Sequence, residues 1–304
     1  MSVLPGLDWI AADWGTSNLR VWAMGAAGPL AEAESGDGMG SLDRAGFEPA
    51  LLRLIGGWFG AGPVRVIACG MVGSRQGWAE APYRAVPCAP VLPGRLARAP
   101  ALDPRLDVRI VPGLKQESPA DVMRGEETQI AGFLAARPGF DGVLCLPGTH
   151  SKWVRVSAGE AVSFQTFMTG ELFGLIAERS VLRFTVSDEG WDDTAFAEAV
   201  GEALSRPERA LSGLFALRAE GLLRGLAPGL ARARLSGALI GIELAGSRPY
   251  WLGQRVAILG AEKLSRAYGA ALAAQGVTAE RSDAGAMTLA GLGAARAGLR
   301  ERVT

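Results

Sequence analysis

Along residues 10–24, IAADWGTSNLRVWAM, an apolar run is cut by a polar knot, DWGTSN, and then resumes. Short apolar stretches around a Gly/Ser/Thr/Asn cluster predict a β-hairpin whose turn presents its backbone N–H groups outward. LAEAES then reads as a third strand, FEPALLRLIGGWF as a helix, and VRVIACGMVGS at 64–74 as a further strand. Three close strands, a helix and a strand predict an α/β domain that opens with an antiparallel meander. From Gly73 to Pro104 the pattern breaks. Trp78, Tyr83 and the prolines Pro82, Pro87, Pro90, Pro93 and Pro100 show little periodicity, which predicts a segment wrapping the surface or the mouth of a cleft.

Next, MRGEETQIAGFLAAR carries Ile130, Phe133 and Leu134 at helical spacing, with two acids where the helix macrodipole favours them. GVLCLPGTHSKWVRVSAGEAVSFQTF then repeats the opening order of strand, polar turn, strand, turn and third strand. The echo predicts a duplicated α/β domain with a cleft between the copies. The expected division is 1–125, holding the first hairpin, and 126–304, holding the second. Beyond Gly170 helical periodicity dominates: AFAEAVGEAL and LSGLFALRAEGLL are amphipathic, and SGALIGIELAG at 236–246 is an apolar helix. The strand RVAILG runs into AEKLSRAYGAALAAQG at Gly260. Such a join opens backbone N–H groups to a nucleotide, or is simply a tight βα turn.

Composition narrows the partners. In 304 residues, Lys plus Arg number 31 and Asp plus Glu number 31, so no global field attracts nucleic acid or an anionic membrane. Cys69, Cys88 and Cys145 lack CxxC spacing, and we expect free thiols in a reducing cytosol and no zinc site. MSVLPGLDW has no basic leader, and no run of 18 apolar residues occurs. The expected location is cytoplasmic.

The candidate chemistry starts at the first hairpin. Asp13, at a strand end, can reach a metal ion, while Gly15, Thr16 and Ser17 offer donors to phosphate oxygens. The alternative is that Asp13 and Asn18 make only local turn bonds.

DWGTSNLR, MRGEETQ, LPGTHSKW and VAILGAEKLSRAYGAAL, in that order, resemble the sugar kinase, Hsp70 and actin superfamily. With CGMVGSRQGW, APY, IVPG, TGEL and SGALIGIE added, the chain is similar along nearly its whole length to the 2-dehydro-3-deoxygalactonokinase family. The resemblance implies a two-domain actin-like ATPase fold of duplicated ribonuclease H type, with ATP and substrate in the interdomain cleft. It also implies ATP-dependent phosphorylation of 2-keto-3-deoxygalactonate on its terminal hydroxyl.

Phosphoryl transfer needs positioned phosphates, an in-line hydroxyl and a carboxylate to orient it. On the resemblance, Asp13 anchors Mg²⁺, and Gly15, Thr16, Ser17, Gly148 and Thr149 surround the phosphates of ATP. Gly260 and Ala261 lie beside the adenosine, and Glu126 acts as base with Glu127 as its rival. A small sugar acid needs a cation, and the candidates are Arg20, Arg75 and Arg124. Asn18, Trp78, Tyr83, Thr169 and Glu171 complete the expected sugar-acid pocket. His150, the single histidine, and Lys152 are candidate phosphate neighbours, the alternative for His150 being a hydrogen-bonded structural residue of the turn. The second hairpin carries LPG where many superfamily members have an aspartate, so Asp13 is left as the principal metal anchor. Expected partners are the sugar acid and a second copy of the chain. The competing readings are a phosphohydrolase of the exopolyphosphatase type, a regulator on the same scaffold, and a kinase for another acid such as 2-keto-3-deoxygluconate.

Overall fold

In strand β1 (Trp9–Trp14), Ile10, Ala12 and Trp14 point to one side and Trp9, Ala11 and Asp13 to the other, as a period of two requires. The first set packs with Leu19, Val21 and, from helix α1 (Phe47–Ile55), Phe47, Leu51 and Ile55. The second set joins Trp22, Ile67 and Cys69, and Leu292 and Ala295 close over that face. The sheet is therefore covered on both sides, and Asp13 sits at the end of the second face.

The computed structural model describes residues 3–187 and 189–299. Strands β2 (Leu19–Gly25), β3 (Gly28–Ser35), β4 (Val64–Gly70), β5 (Arg84–Ala85), β6 (Ala97–Arg98) and β7 (Leu106–Ile110) follow β1. The main sheet has the order β3-β2-β1-β4-β7-β6. Asp13 stands opposite Arg20 in the antiparallel pairing with β2 and opposite Cys69 in the parallel pairing with β4. Strands β8 (Leu114–Gln116) and β9 (Asp121–Met123) form a small sheet with β5 and lead into helix α2 (Glu126–Ala136).

A second sheet repeats the scheme. Strands β10 (Gly142–Leu146), β11 (Ser151–Ser157) and β12 (Glu160–Phe167) form its meander. Helices α3 (Thr169–Arg179), α4 (Asp193–Ser205), α5 (Ala210–Arg224), α6 (Pro228–Gly246) and α7 (Arg248–Trp251) follow, then β13 (Val256–Gly260), α8 (Glu262–Ala273) and β14 (Glu280–Asp283). Its order, β12-β11-β10-β13-β14, matches β3-β2-β1-β4-β7, with β10 antiparallel to β11 and parallel to β13. The internal echo read in the sequence is thus a repeated topology. The predicted apolar helix at 236–246 is the second half of the longer α6. Its Gly237 and Gly241 let α4 approach: a β-carbon at either would fall 2.5 or 2.6 Å from the carbonyl oxygens of Phe196 and Val200.

The last element among the described residues is helix α9 (Ala284–Arg296), which packs on α2. Contact at this crossing is backbone to backbone, since Gly132 faces the Met287 carbonyl and Gly291 the Thr128 carbonyl with no room for a side chain. These contacts correct the expected division at 125. Among the described residues, one compact unit comprises 3–140, 158–162 and 284–299, and the other 141–157, 163–187 and 189–283. Helix α2 belongs to the first, as do residues 158–162, where Ala161 exchanges backbone hydrogen bonds with Cys88. The Gly73–Pro104 segment also differs from a plain wrapping loop: it contributes β5 and β6, and Trp78 and Ala81 are buried. Among the described residues, no helix is long and apolar enough to cross a membrane. Cys69 and Cys145 are buried free thiols and Cys88 is partly exposed.

The α2–α9 crossing yields a test. Gly291→Ala must push its new methyl into the Thr128 carbonyl and should cost about 1–3 kcal/mol. Gly293→Ala, where a β-carbon meets open space in the same helix, should leave the melting temperature unchanged or raise it. Thermal melts of the two variants check the contrast.

Candidate active site

Two glycines bring the acidic groups of the first unit together. Gly70 ends β4 at φ 87°, and a β-carbon there would lie 2.6 Å from the Trp14 carbonyl oxygen and 3.6 Å from Asp13 Oδ1. Gly125, at φ 105°, precedes α2, and its β-carbon would lie 3.4 Å from Gly70 Cα. Both backbones occupy a region that other residues adopt only under strain. The first turn of α2 is thereby laid against the end of β1.

Glu127 points inward and is fully buried. Its Oε2 accepts the Gly125 N–H at 2.7 Å and its Oε1 the Thr128 hydroxyl at 2.9 Å. Burial, and then the neighbouring charge of Glu126, push its pKa up to about 8. Glu126 is half-buried and accepts the Arg124 N–H at 3.0 Å. Asp13 lies beside the buried Cys69, whose thiol donates to Oδ1 at 3.8 Å. Burial raises the Asp13 pKa, Arg20 and that thiol oppose the rise, and Glu126 adds to it. The two rival glutamates are thus separated by environment. Glu127 is enclosed and has both oxygens engaged, whereas Glu126 keeps partial solvent access.

The three candidate arginines also separate. Arg124 donates from Nη2 to the Ala81 carbonyl at 2.8 Å and lies 4.3 Å from the centre of the Tyr83 ring. Its Nε and Nη1 are buried without a hydrogen-bond partner. An unmatched guanidinium edge in a protected place is built for an anion. Arg20 instead sits half-exposed, 3.9 Å from Glu34, and Arg75 is largely exposed, 3.8 Å from Glu80. Trp78 is not a pocket wall. It lies in the core against Phe47 and Trp14, with its indole N–H donating to the Pro100 carbonyl at 2.7 Å, because a large aromatic in a loop is worth more as an anchor than as surface. Tyr83 serves as the platform for Arg124.

The first turn closes with Gly15 donating to the Asn18 carbonyl at 2.9 Å. It is braced from outside, since Met39 and Gly40 donate to the carbonyls of Gly15 and Thr16. Thr16, Ser17 and Asn18 are exposed.

The second unit contains a cavity of about 890 Å³. One end is formed by Gly148 and Thr149 with Thr169 and Gly170 from the start of α3. Gly170 has no room for a side chain because the Gly148 carbonyl lies against it, and Glu171 donates its N–H to the Thr149 carbonyl at 2.9 Å. A hairpin turn meeting a helix N-terminus suits phosphate. The remainder is largely aromatic and aliphatic, with Phe173, Trp191, Phe196, Leu239 and Ile240, and α8 forms the facing wall through Lys263 and Ala267. That lining suits a nucleobase.

Some expectations shift here. Thr169 and Gly170 line this cavity, while Glu171 pairs with His150 at 2.5 Å. Gly260 is buried, and a β-carbon on it would be 3.0 Å from Pro147 and Ser265, so the helix it launches lines the cavity instead. Ala261 is exposed ahead of α8, and Lys152 is buried. Sequence reading missed Glu243, which accepts the Trp153 indole N–H at 2.8 Å and the Tyr268 hydroxyl at 2.7 Å, with Thr169 as a further partner. Burial raises its pKa. The available signal was a single acid in the apolar stretch ALIGIE. Phe173 and Trp191 were also missed: Phe173, in α3, reads equally as core, and Trp191 stands in the irregular stretch just before α4.

Among the described residues, no group of three or more His, Cys, Asp or Glu could hold a metal by itself. A magnesium ion bound by one carboxylate, phosphate oxygens and water needs no such group, and Asp13 fits that mode.

A family model described as 2-keto-3-deoxy-galactonokinase matches residues 13–295, beginning at Asp13. The chain belongs to this family. Among the 2-keto-3-deoxy-galactonokinases it is 40% identical over 295 residues to a Rhizobium meliloti (strain 1021) protein named "Probable 2-dehydro-3-deoxygalactonokinase DgoK1", covering 94% of this chain and 96% of that one. It is 33% identical to the 2-dehydro-3-deoxygalactonokinase of Escherichia coli (strain K12), covering 90% and 93%. The crystal structure of a Sinorhizobium meliloti protein assigned to the same activity superposes with a TM-score of 0.88 at 40% identity, over 97% of this chain and 99% of that one. An activator of 2-hydroxyisocaproyl-CoA dehydratase from Clostridium difficile, with bound ADPNP, shares the fold at a TM-score of 0.50 and 12% identity, over 95% and 92%. The fold is that of actin-like ATPases and sugar kinases.

Glu127 gives this site a measurable signature. Its folded pKa of about 8 lies above the ordinary 4.5, so the folded protein holds a proton that the unfolded chain releases. The associated stability is present below about pH 4.5 and is lost as pH rises through about 8. Glu127→Gln has no proton to lose. Its melting temperature should fall less than that of the parent between pH 5 and 8, and equal slopes would contradict the assignment.

Proposed function

We propose that this protein transfers the terminal phosphoryl group of ATP to the 6-hydroxyl of 2-dehydro-3-deoxy-D-galactonate, giving the 6-phosphate and ADP. The observation that carries the substrate class is Arg124, whose two buried, unpartnered nitrogens lie two residues before Glu126 in the sequence and in the same unit as Asp13. ATP supplies the phosphoryl group, and Mg²⁺, when bound, neutralises charge on its phosphates.

The chain's own groups do the rest. Arg124 pairs with the substrate carboxylate and fixes one end of the sugar acid. Glu126 orients the 6-hydroxyl at the other end and takes its proton as the oxygen bonds to phosphorus. Asp13 would hold the magnesium ion when it binds. Donors of Gly15, Thr16 and Ser17, and of the Gly148–Thr149 turn with the start of α3, hold the phosphates. The aromatic part of the second unit's cavity takes the base. Positioning of this kind supplies most of the acceleration in phosphoryl transfer. The protein acts in the cytoplasm and as a homodimer in this proposal.

Two measurements test it. ADP release from Mg-ATP should require the galactonate-derived acid and be much slower with its gluconate epimer; release without any acid would instead indicate a hydrolase. Arg124→Met should raise the KM for the sugar acid by about 100-fold and leave the KM for ATP within about twofold, because only the carboxylate loses its partner. An equal rise in both would remove Arg124 from the sugar-acid site.

A further inference from the structure

Helix α5 turns its apolar side to solvent. Leu211, Phe215 and Leu222 are 83%, 65% and 67% exposed, while Leu217 is its buried residue. With Arg218 these positions are spaced four, three and four apart, the spacing of the seam between two packed helices. Flanking positions are small: Ser212, Ala219 and Gly221. Beside the stripe, Phe184 and Val181 are 65% and 54% exposed, and Arg218 joins them to it, 5.5 Å from the Phe184 ring and donating to Thr185 Oγ1 at 3.3 Å.

We propose that α5 pairs antiparallel with α5 of a second copy of this chain about a two-fold axis. The stripe is complementary to itself in that orientation. Turning it end for end sets Leu211 against Leu222 of the partner subunit and Phe215 against Arg218 of the partner subunit. The one charge in the seam therefore meets an aromatic face, as it already does at Phe184. A closed two-fold contact satisfies both copies at once and leaves no apolar edge for further growth. Covering the exposed stripe with Val181, Phe184 and Leu223 removes on the order of 800 Å² per chain, about the share each partner gives to a stable interface. A patch of that size exceeds what monomers usually expose.

Sedimentation velocity of the full chain reads the outcome. The mass should be twice 31.7 kDa, and Phe215→Glu with Leu222→Glu should return it to 31.7 kDa with the helical circular dichroism unchanged. Leu102→Glu, which alters a side chain 95% exposed in the first unit, should leave the dimer intact. Register is tested separately by Leu211→Cys with Leu222→Cys. These positions lie about 16 Å apart along one helix, too far for a disulfide within a chain, so oxidation should give a covalent dimer. A parent chain that sediments as a monomer overturns the proposal, as does a dimer that survives the glutamates or one that the cysteine pair fails to cross-link.

Discussion

The first unit depends on a close approach that only glycine permits. Gly70 and Gly125, both at positive φ, allow the end of β4, the end of β1 and the start of α2 to converge with backbone against backbone. A side chain at Gly70 would strike the Trp14 carbonyl. From that convergence follow the enclosure of Glu127, the partial exposure of Glu126 and the burial that raises the Asp13 pKa. Further from the site, Gly132 and Gly291 lock α2 against α9, so the helix carrying the acids is held from behind by that helix.

The second unit solves a similar problem by different means. Its hairpin lacks an acid, and Leu146, Pro147 and Gly148 lead into the turn. Here the close approach is between Gly170 and the Gly148 carbonyl, which sets a helix N-terminus against the turn. Glu243 lies beneath and gathers Trp153, Tyr268 and Thr169 around one buried carboxylate. Truncating any one of these partners would leave a buried polar group unmatched, which is expensive in a low-dielectric interior. A single topology has thus been given two chemistries: an acidic strand end in one copy and a neutral turn with a helix dipole in the other.

Much of this was legible in the chain because its signals are local. The polar knots DWGTSN and LPGTHS each interrupt two apolar runs, and both became hairpins. The acids of MRGEETQ did open a helix. What the sequence left open depends on distant partners. Which of Arg20, Arg75 and Arg124 is matched is decided by Glu34, Glu80 and the Tyr83 ring, and no spacing rule reveals those contacts. Trp78 reads as a cleft aromatic until Phe47 and Trp14 are seen around it. The unit boundary was misplaced because α9 returns to α2 through glycine contacts that no hydrophobic pattern records.

The central claim is that Arg124 receives the sugar-acid carboxylate while the second unit's cavity holds the nucleotide. A crystal structure with a non-hydrolysable ATP analogue, Mg²⁺ and 2-keto-3-deoxygalactonate tests it directly. The account predicts the carboxylate within hydrogen-bond distance of Arg124 Nε and Nη1, and the base against the aromatic lining near Trp191 and α8. A carboxylate bound by Arg20 or Arg75, or a base outside that cavity, would contradict it.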